Sequence, residues 1–374
     1  MRLLIFVNDE TTIYNFRREI IRAFNNKGYD VILCTPDGGH KIEIERCGCT
    51  VVNIEVSRHG TNPIQELKCI ITFRHLIRQY RPDVVLTYTV KPNIYGSLAC
   101  QMTRTPYINN ITGLGTVLQS DSFLARIMLL LQKKAYRKSS YVFFQNQSNY
   151  QTLLEKGIIT EGTPFEILPG SGVNLELHAF TPMREDDGIV KFIIVSRIRE
   201  DKGYNEFFDA AEIIKKKYKN TEFHVVGWFE EESFRERVEE LSKKGTIIFH
   251  GKQMQEEVHK LIVASDCVVL PSYHEGMANV LLEAASGGRP VIATSIPGCR
   301  ETFDDGITGF GCEVGSSTSL AYAMERLINV PYMKRREMGF LGRKKMEKEF
   351  NRDYVAERYI NCIEGIVGGE NESL

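Results

Sequence analysis

Residues 268–293, VVLPSYHEGMANVLLEAASGGRPVIA, decide the fold of the second half of the chain. A short apolar run is followed by a polar loop, a helical segment and a second apolar run. Gly287-Gly288 is typical of a helix end, and Pro290 of the first position of a strand. The stretch therefore predicts a parallel β-α-β unit.

Two carboxylates flank the predicted helix start. Glu275 lies in the loop, and Glu283 lies within the helix, about 8 Å along it at ~1.5 Å per residue. Between them we expect free backbone N–H groups, which with the helix dipole form a ready site for phosphate. These donors belong to Gly276, Met277, Ala278 and Asn279. A ligand with hydroxyls at both ends and phosphate between them, such as a nucleotide-sugar, suits this arrangement.

Length and composition indicate a globular protein of two domains. The chain has 374 residues, 43% of them hydrophobic and 25% charged, with a net charge of −1. A chain of that length is too long for a single domain of ordinary size. The near-zero net charge argues against nucleic acid as a partner. We expect no signal peptide and no membrane span, because the longest aliphatic run, residues 127–131, is far shorter than ~20 residues.

The nine cysteines are odd in number, scattered and often within apolar runs. Cys47-Gly48-Cys49 is the only close pair, and its spacing fits neither a zinc site nor a redox motif. This usage predicts reduced core thiols in a cytoplasmic protein.

Apolar strands alternate with helices in both halves, which predicts parallel sheets covered on both faces. We expect an N-terminal domain over residues 1–170 and a C-terminal domain over residues 189–350. The turn-rich residues between them are predicted to be a linker, and a helix near 351–368 to pack back on the first domain. Two doubly wound domains place a ligand at the carboxyl ends of their strands, here in a cleft between them.

A second phosphate-suited loop follows the first strand of the C-terminal domain. Residues 196–203, SRIREDKG, precede a helix at the same predicted sheet edge as residues 268–293. Arg197 can bind a diphosphate through its planar fork and Lys202 as a point charge, while Gly203 permits a tight turn. A solvated basic loop is the alternative, but the position at the sheet edge favours a binding site.

These motifs together resemble those of the retaining glycosyltransferases of family 4, which have the two-domain GT-B fold. The resemblance rests on Ser-Arg-x-x-x-x-Lys-Gly, on Glu275 and Glu283 with seven residues between them, and on Gly-Arg-Pro-Val-Ile-Ala-Thr at residues 288–294. It implies that Glu275 contacts the donor sugar, that Glu283 binds the ribose, and that Arg197 and Lys202 neutralise the leaving diphosphate. It also implies a base site near Gly227, Gly251 and Lys252. For Glu283, a plain helix residue is the alternative.

The N-terminal half resembles a bacterial branch that builds lipid-linked saccharides for capsules, O-antigens or glycoproteins. The segments TYTVKPNIYG (87–96) and NNITGLG (109–115) carry this resemblance and are predicted to be loops after strands. Many members place a histidine in the second loop, where this chain has Thr112-Gly113. The usual glycine-rich loop after the first strand is replaced by residues 8–12, NDETT. We therefore expect Asn8, Lys91, Thr112 and Gly113 on the acceptor side and name no catalytic histidine.

The absence of a metal-binding motif in the sequence predicts a metal-independent reaction without a cofactor. The sequence has no Asp-x-Asp, the spacing that holds a divalent ion against a diphosphate. His274 beside Glu275 is as easily a structural residue as a ligand, and the other histidines show no ligand spacing. The resemblance implies an oxocarbenium-like transition state with retention, in which Glu275 positions and stabilises the sugar.

The predicted helix from Ser122 to Lys138 combines apolar residues at helical spacing with Arg126, Lys133, Lys134, Arg137 and Lys138. A basic amphipathic helix can lie on an anionic membrane. An ordinary packed helix is an equal alternative from sequence alone, and the resemblance to enzymes with polyprenyl-diphosphate acceptors favours peripheral contact at the inner face of the cell membrane.

The sequence thus predicts an α/β protein of GT-B fold that transfers a hexose or N-acetylhexosamine, most simply from a UDP-sugar, to a lipid-linked saccharide. Two alternatives stay open. A nucleotide-sugar epimerase shares the architecture but needs more general acids and bases than Glu275. A non-catalytic nucleotide-sugar binding subunit of a polysaccharide assembly complex would bind the donor without turnover.

Overall fold

The computed structural model describes residues 1–56, 63–114 and 123–371. The chain divides into two compact units, the first made of Met1–Gly172 with Arg352–Leu374 and the second of Val173–Asn351. Both are doubly wound α/β units with parallel strands, as the sequence predicts.

The first unit is built on a seven-stranded sheet with the order β3-β2-β1-β4-β5-β6-β7, in which every pair is parallel. Its strands are nearly all buried because helices cover both faces. They are β1 (Arg2–Phe6), β2 (Asp30–Thr35), β3 (Cys49–Asn53), β4 (Val84–Tyr88), β5 (Tyr107–Ile111), β6 (Tyr141–Phe144) and β7 (Phe165–Ile167).

Helices cover the first sheet on both faces. They are α1 (Glu10–Phe16), α2 (Arg18–Asn26), α3 (Lys41–Glu45), α4 (Pro63–Tyr80), α5 (Val90–Thr103), α6 (Phe123–Tyr136), α7 (Gln147–Glu155) and, late in the chain, α14 (Arg352–Asn371). Helices α1 and α2 are separate because the helical backbone is interrupted at Arg17, where φ is −136°.

Helix α14 completes the core of the first unit. Val355, Tyr359 and Ile363 are buried with residues of β1 and α2. The Tyr359 hydroxyl donates to Asn110 Oδ1 at 2.6 Å, and Arg352 Nη1 pairs with Glu19 Oε2 at 2.6 Å. The last helix is therefore part of the first unit.

The second unit contains a six-stranded sheet with the order β10-β9-β8-β11-β12-β13, again parallel throughout. Its strands are β8 (Val190–Val195), β9 (Thr221–Val226), β10 (Ile248–Phe249), β11 (Cys267–Leu270), β12 (Val291–Thr294) and β13 (Gly309–Cys312). Its helices are α8 (Tyr204–Lys217), α9 (Arg235–Lys243), α10 (Gln255–Ala264), α11 (Asn279–Ser286), α12 (Ser317–Ile328) and α13 (Tyr332–Glu349).

Most of the predicted linker, residues 171–188, belongs to the second unit. The chain passes from the first unit to the second at Gly172–Val173, so residues 173–188 belong to the second unit. They are held there by Arg289, whose buried guanidinium donates to the carbonyl oxygens of Thr181 (2.8 Å), Gly287 (3.1 Å) and Val263 (Nε, 3.1 Å). Turn-rich composition indicated a linker, but these contacts fix the segment. No helix among residues 1–56, 63–114 and 123–371 is long and apolar enough to cross a membrane.

Candidate active site

The second unit brings its two predicted phosphate-binding loops together. Strand β8 lies between β9 and β11, so the strand order reverses there and the loops after β8 and β11 diverge at one edge of the sheet. Such a switch point is where open α/β sheets bind ligands. Residues 196–203 follow β8 and residues 271–278 follow β11.

Lys202 and Glu275 form an ion pair at this switch point. Lys202 Nζ lies 2.6 Å from Glu275 Oε1, and their side chains are only 13% and 15% exposed. Gly203 fixes the approach of the two loops, because its φ is +73° and a Cβ there would lie 2.1 Å from the Pro271 carbonyl oxygen. The Tyr273 N–H also donates to the Asp201 carbonyl at 2.9 Å. The loops are therefore locked, and a cation and a carboxylate face each other.

Arg197 is paired with Glu230, a residue that the sequence did not single out. The Arg197 Nη1 to Glu230 Oε2 distance is 2.7 Å, and both side chains are about one-third exposed, at 32% and 29%. Arg199 Nη1 approaches the same carboxylate at 3.5 Å. Glu230 lies in the loop after β9, so its proximity depends on strand order, which no local motif shows.

The helix start offers fewer donors than the sequence predicts. Helix α11 begins at Asn279, and the Ala278 N–H already donates to the Gly298 carbonyl at 2.9 Å, while the Asn279 N–H donates to Met277 O at 3.0 Å. The prediction of free donors at Ala278 and Asn279 is therefore wrong, because the loop after β12 caps this end. The Met277 N–H has no acceptor among the residues that the structure describes.

Glu283 lies at the fifth position of α11 and is mostly buried. Its Oε1 is 3.8 Å from His178 Nε2. The His178 carbonyl accepts a hydrogen bond from Ser286 Oγ at 2.6 Å, which ties the segment before β8 to the same helix. The sequence placed His178 before the second domain, so its contact with Glu283 was missed.

The predicted base-binding residues lie together at the ends of β9 and β10. The Gly227 N–H donates to the Gly251 carbonyl at 3.0 Å, and a Cβ on Gly227 would lie 1.9 Å from the Ser196 carbonyl oxygen. Lys252 Nζ lies 5.4 Å from the ring centre of Trp228, within cation–π range. Trp228 is the only tryptophan of the chain and is 46% exposed. An exposed indole at this edge adds a stacking surface that sequence reasoning missed.

Of the residues predicted on the acceptor side, Asn8 and Lys91 lie at the switch point of the first unit, between β1 and β4. The Thr89 hydroxyl donates to Asn8 Oδ1 at 2.8 Å, and Thr89 has φ of +71°, a strained conformation for a β-branched residue. Lys91 Nζ lies 2.7 Å from Glu66 Oε1. Thr112 and Gly113 follow β5, the neighbour of β4, and are half-buried.

The two segments predicted to be loops in this half are largely regular structure. Thr87 and Tyr88 end β4, α5 begins at Val90, and Asn109 to Ile111 lie in β5. The Asn109 amide donates to Thr87 Oγ1 at 2.9 Å and to Ser97 Oγ at 2.8 Å. Buried hydrogen bonds therefore hold these polar side chains within β4, α5 and β5. Gly115 lies outside the described residues.

Glu10 also departs from the expectation that residues 8–12 present polar side chains to the acceptor. Its carboxylate is buried, and Oε2 accepts from the N–H groups of Gly38 at 2.6 Å and His40 at 3.0 Å. It binds the loop after β2 to the start of α1. Across residues 1–56, 63–114 and 123–371, no three histidine, cysteine or acidic side chains cluster as a metal site would.

Two doubly wound units in one chain form the GT-B architecture, which defines a class of proteins. In this chain, Arg197 and Lys202 lie at the switch point of the second unit. Family models give the particular family. The model described as "Glycosyl transferases group 1" matches residues 179–345, and the model "Glycosyl transferase 4-like" matches residues 3–146. The chain belongs to these family 4-like glycosyltransferases and is an enzyme of that type.

Similar proteins cover the whole chain. An N,N'-diacetylbacillosaminyl-diphospho-undecaprenol alpha-1,3-N-acetylgalactosaminyltransferase of Campylobacter jejuni is 22% identical, over 98% of this chain and 99% of its own. The capsular polysaccharide biosynthesis glycosyltransferase CapM of Staphylococcus aureus is 24% identical over 90% of both chains. Among solved structures, HepE of Anabaena in complex with UDP and glucose superposes with a TM-score of 0.77, at 17% identity, over 98% of this chain and 100% of its own.

Proposed function

We propose that this glycosyltransferase moves a hexose or N-acetylhexosamine from a nucleoside diphosphate, UDP in the simplest case, to a polyprenyl-diphosphate-linked saccharide, with retention and without a metal ion. The product belongs to the assembly of a capsule, an O-antigen or a glycoprotein glycan. The observation that carries this proposal is the Lys202–Glu275 pair at the switch point of the second unit, with Arg197 beside it on the same loop.

The donor-side roles follow from charge. Breaking the bond between the anomeric carbon and the diphosphate oxygen develops negative charge, which Arg197, Lys202 and the Met277 N–H would stabilise. Preorganised donors of this kind contribute ~3 kcal/mol each. The acceptor oxygen bonds to the same face of the anomeric carbon, and its proton passes to the departing phosphate oxygen. Glu275 would position the ring and stabilise its positive charge.

The other donor contacts extend along the sheet edge. Glu283 would accept hydrogen bonds from the ribose, and Gly227, Gly251 and Lys252 would hold the base. The choice of UDP is supported by HepE, which shares the fold and was solved with UDP. In the first unit, Asn8, Lys91, Thr112 and Gly113 would meet the acceptor, whose lipid diphosphate is suggested by the name of the Campylobacter relative.

The assignment predicts different defects at the two carboxylates. Glu283→Ala should weaken donor binding, whereas Glu275→Ala should mainly lower turnover, by roughly 100-fold for a loss of ~3 kcal/mol in the transition state. A screen of nucleotide-sugars for thermal stabilisation identifies the donor, since a ligand at ~100 times its dissociation constant adds about 2.7 kcal/mol. Titration and steady-state rates of the two variants with that donor then separate binding from turnover.

Three outcomes would contradict this function. Conversion of the donor into a different nucleotide-sugar in the absence of acceptor would indicate an epimerase. Donor binding without transfer to any lipid-linked acceptor would indicate a binding subunit. Equal donor affinity and equal activity of the two variants would remove the residue roles. Retention is checked by the anomeric configuration of the product, and metal independence by activity in EDTA.

We also propose that α6 contacts the membrane surface. The structure changes the expected apolar face of this helix. Met128, Leu129 and Leu131 pack in the core, whereas Ile127 and Leu130 are exposed, Leu130 by 69%. The exposed side also carries Lys133, Lys134, Arg137 and Lys138, and residues 126–138 contain no acid. Basic and apolar groups on one exposed side suit an anionic lipid surface. Ser122 lies outside the described residues.

Flotation with anionic liposomes tests this contact. Changing Lys133, Lys134, Arg137 and Lys138 to Glu should abolish flotation, because each base near an anionic surface contributes about 1 kcal/mol. The matched control reverses the same number of charges in the second unit, at the exposed lysines Lys216, Lys219, Lys243 and Lys348. Equal flotation of the two variants would remove the proposal for α6 and leave the transferase assignment intact.

A further inference from the structure

The proposed diphosphate site contains an anion of its own. Arg197, the predicted fork for the diphosphate, pairs with Glu230 at 2.7 Å, and the second oxygen of Glu230 lies 2.9 Å from the same nitrogen. A guanidinium has five N–H donors, and Glu230 occupies those of Nη1. A diphosphate that binds Arg197 therefore meets a carboxylate already seated on it.

Glu230 cannot move far from this position, because its backbone is fixed to the arginine loop. The N–H groups of Glu230 and Glu231 both donate to the Ile198 carbonyl, at 3.1 and 3.2 Å, and the Ile198 N–H donates to Trp228 O at 2.9 Å. Glu231 Oε2 accepts from the Glu200 N–H at 3.0 Å. The segment after β9 is thus joined to the loop after β8 at Ile198 and Glu200, just beyond Arg197, and the carboxylate stays within reach of the guanidinium.

We propose that Glu230 sets the affinity for the nucleoside diphosphate by occupying Arg197 when no donor is bound. This inference rests on the proposed function and adds an affinity-determining residue to it. A diphosphate that binds Arg197 must displace this carboxylate from Nη1 or lie beside its negative charge, so the observed affinity is lower than it would be without the Glu230 carboxylate. The same competition favours release of the nucleoside diphosphate after transfer.

The expected size of the effect follows from the exposure of the pair. Exposed and half-exposed ion pairs are weak, and their measured range corresponds to a factor of about 1.4 to 5 in an equilibrium constant. Glu230→Gln should therefore bind UDP about 1.4- to 5-fold more tightly than the wild type. If the only role of Glu230 were to orient Arg197, Glu230→Gln would instead bind UDP more weakly than the wild type.

Trp228 makes the measurement direct, because it is the single tryptophan and lies two residues from Glu230. Its fluorescence is titrated with UDP, and calorimetry with inorganic pyrophosphate tests the diphosphate part without the base. Glu232→Gln is the matched control. It removes the same charge from the same segment, but Glu232 pairs with Arg235 at 2.7 Å.

The inference is supported if Glu230→Gln tightens UDP and pyrophosphate binding, if Glu232→Gln does not, and if the gain disappears when Arg197→Gln is added. Unchanged or weaker binding by Glu230→Gln, with normal thermal stability, overturns it while leaving the proposed function in place. A wild-type protein that binds no nucleoside diphosphate at all (UDP, GDP, ADP or dTDP) overturns the proposed function and this inference together.

Discussion

The ion pair between Lys202 and Glu275 should be measurably stronger than the surface pairs of the same unit. We expect the variants Lys202→Met, Glu275→Gln and the double variant to show a coupling free energy of about 2 kcal/mol in the unliganded protein. This value lies above the ~1 kcal/mol upper range of exposed pairs and below the 3–5 kcal/mol cost of breaking a fully buried pair. The side chains are 13% and 15% exposed, which places them between these limits but nearer the buried one.

Urea unfolding followed by Trp228 fluorescence is the assay, because the only tryptophan lies in the second unit and reports on its unfolding alone. The pair Lys244–Glu240, whose side chains are both exposed, serves as the control cycle and should show a clearly smaller coupling. A coupling of Lys202 and Glu275 below 0.5 kcal/mol, or no larger than the control, would refute the view that this switch point holds a preorganised, partly desolvated charge pair.

Two further predictions concern stability. Arg289→Met should destabilise the second unit by about 3 kcal/mol, because the partly buried carbonyls of Thr181 and Val263 lose their donor. A loss under 1 kcal/mol in urea unfolding would contradict this. His224 and His250 contact each other through their ring nitrogens at 2.9 Å, and burial lowers the pKa of both below the usual 6.5. The unfolded chain therefore binds more protons below pH 6.5, so stability should fall between pH 7 and 5. Changing both residues to Asn should reduce that fall, and an unchanged pH profile would count against the explanation.

The architecture could be predicted from sequence because it depends on local patterns. Continuous apolar strands between helices gave parallel sheets in both halves, and the Gly287-Gly288 stop and Pro290 gave the β11–α11–β12 unit, all confirmed by the structure. The loop carrying Arg197 and Lys202 could be assigned to the same edge as Glu275 because parallel strands end together. That inference needed only strand direction.

The partners of these residues could not be predicted, since they come from segments distant in sequence. Glu230 reaches Arg197 from the loop after β9, and His178 reaches Glu283 from a stretch that composition assigned to a linker. The Ala278 N–H donates to the backbone carbonyl of Gly298, and a backbone contact of this kind cannot be predicted from the identities of the side chains. The hydrogen bonds of the buried Asn109 amide to Thr87 and Ser97 likewise join segments that are distant in sequence.

The position of α14 at the end of the chain has a consequence for folding during synthesis. Val355, Tyr359 and Ile363 fill the core beneath the first sheet, yet they are translated after all 179 residues of the second unit, 173–351. During synthesis the earlier-made sheet lacks this cover, and the part of its apolar face beneath α14 is exposed for the whole of that interval. The nascent N-terminal half should therefore be the more prone to aggregation and chaperone binding, whereas the second unit can fold on its own.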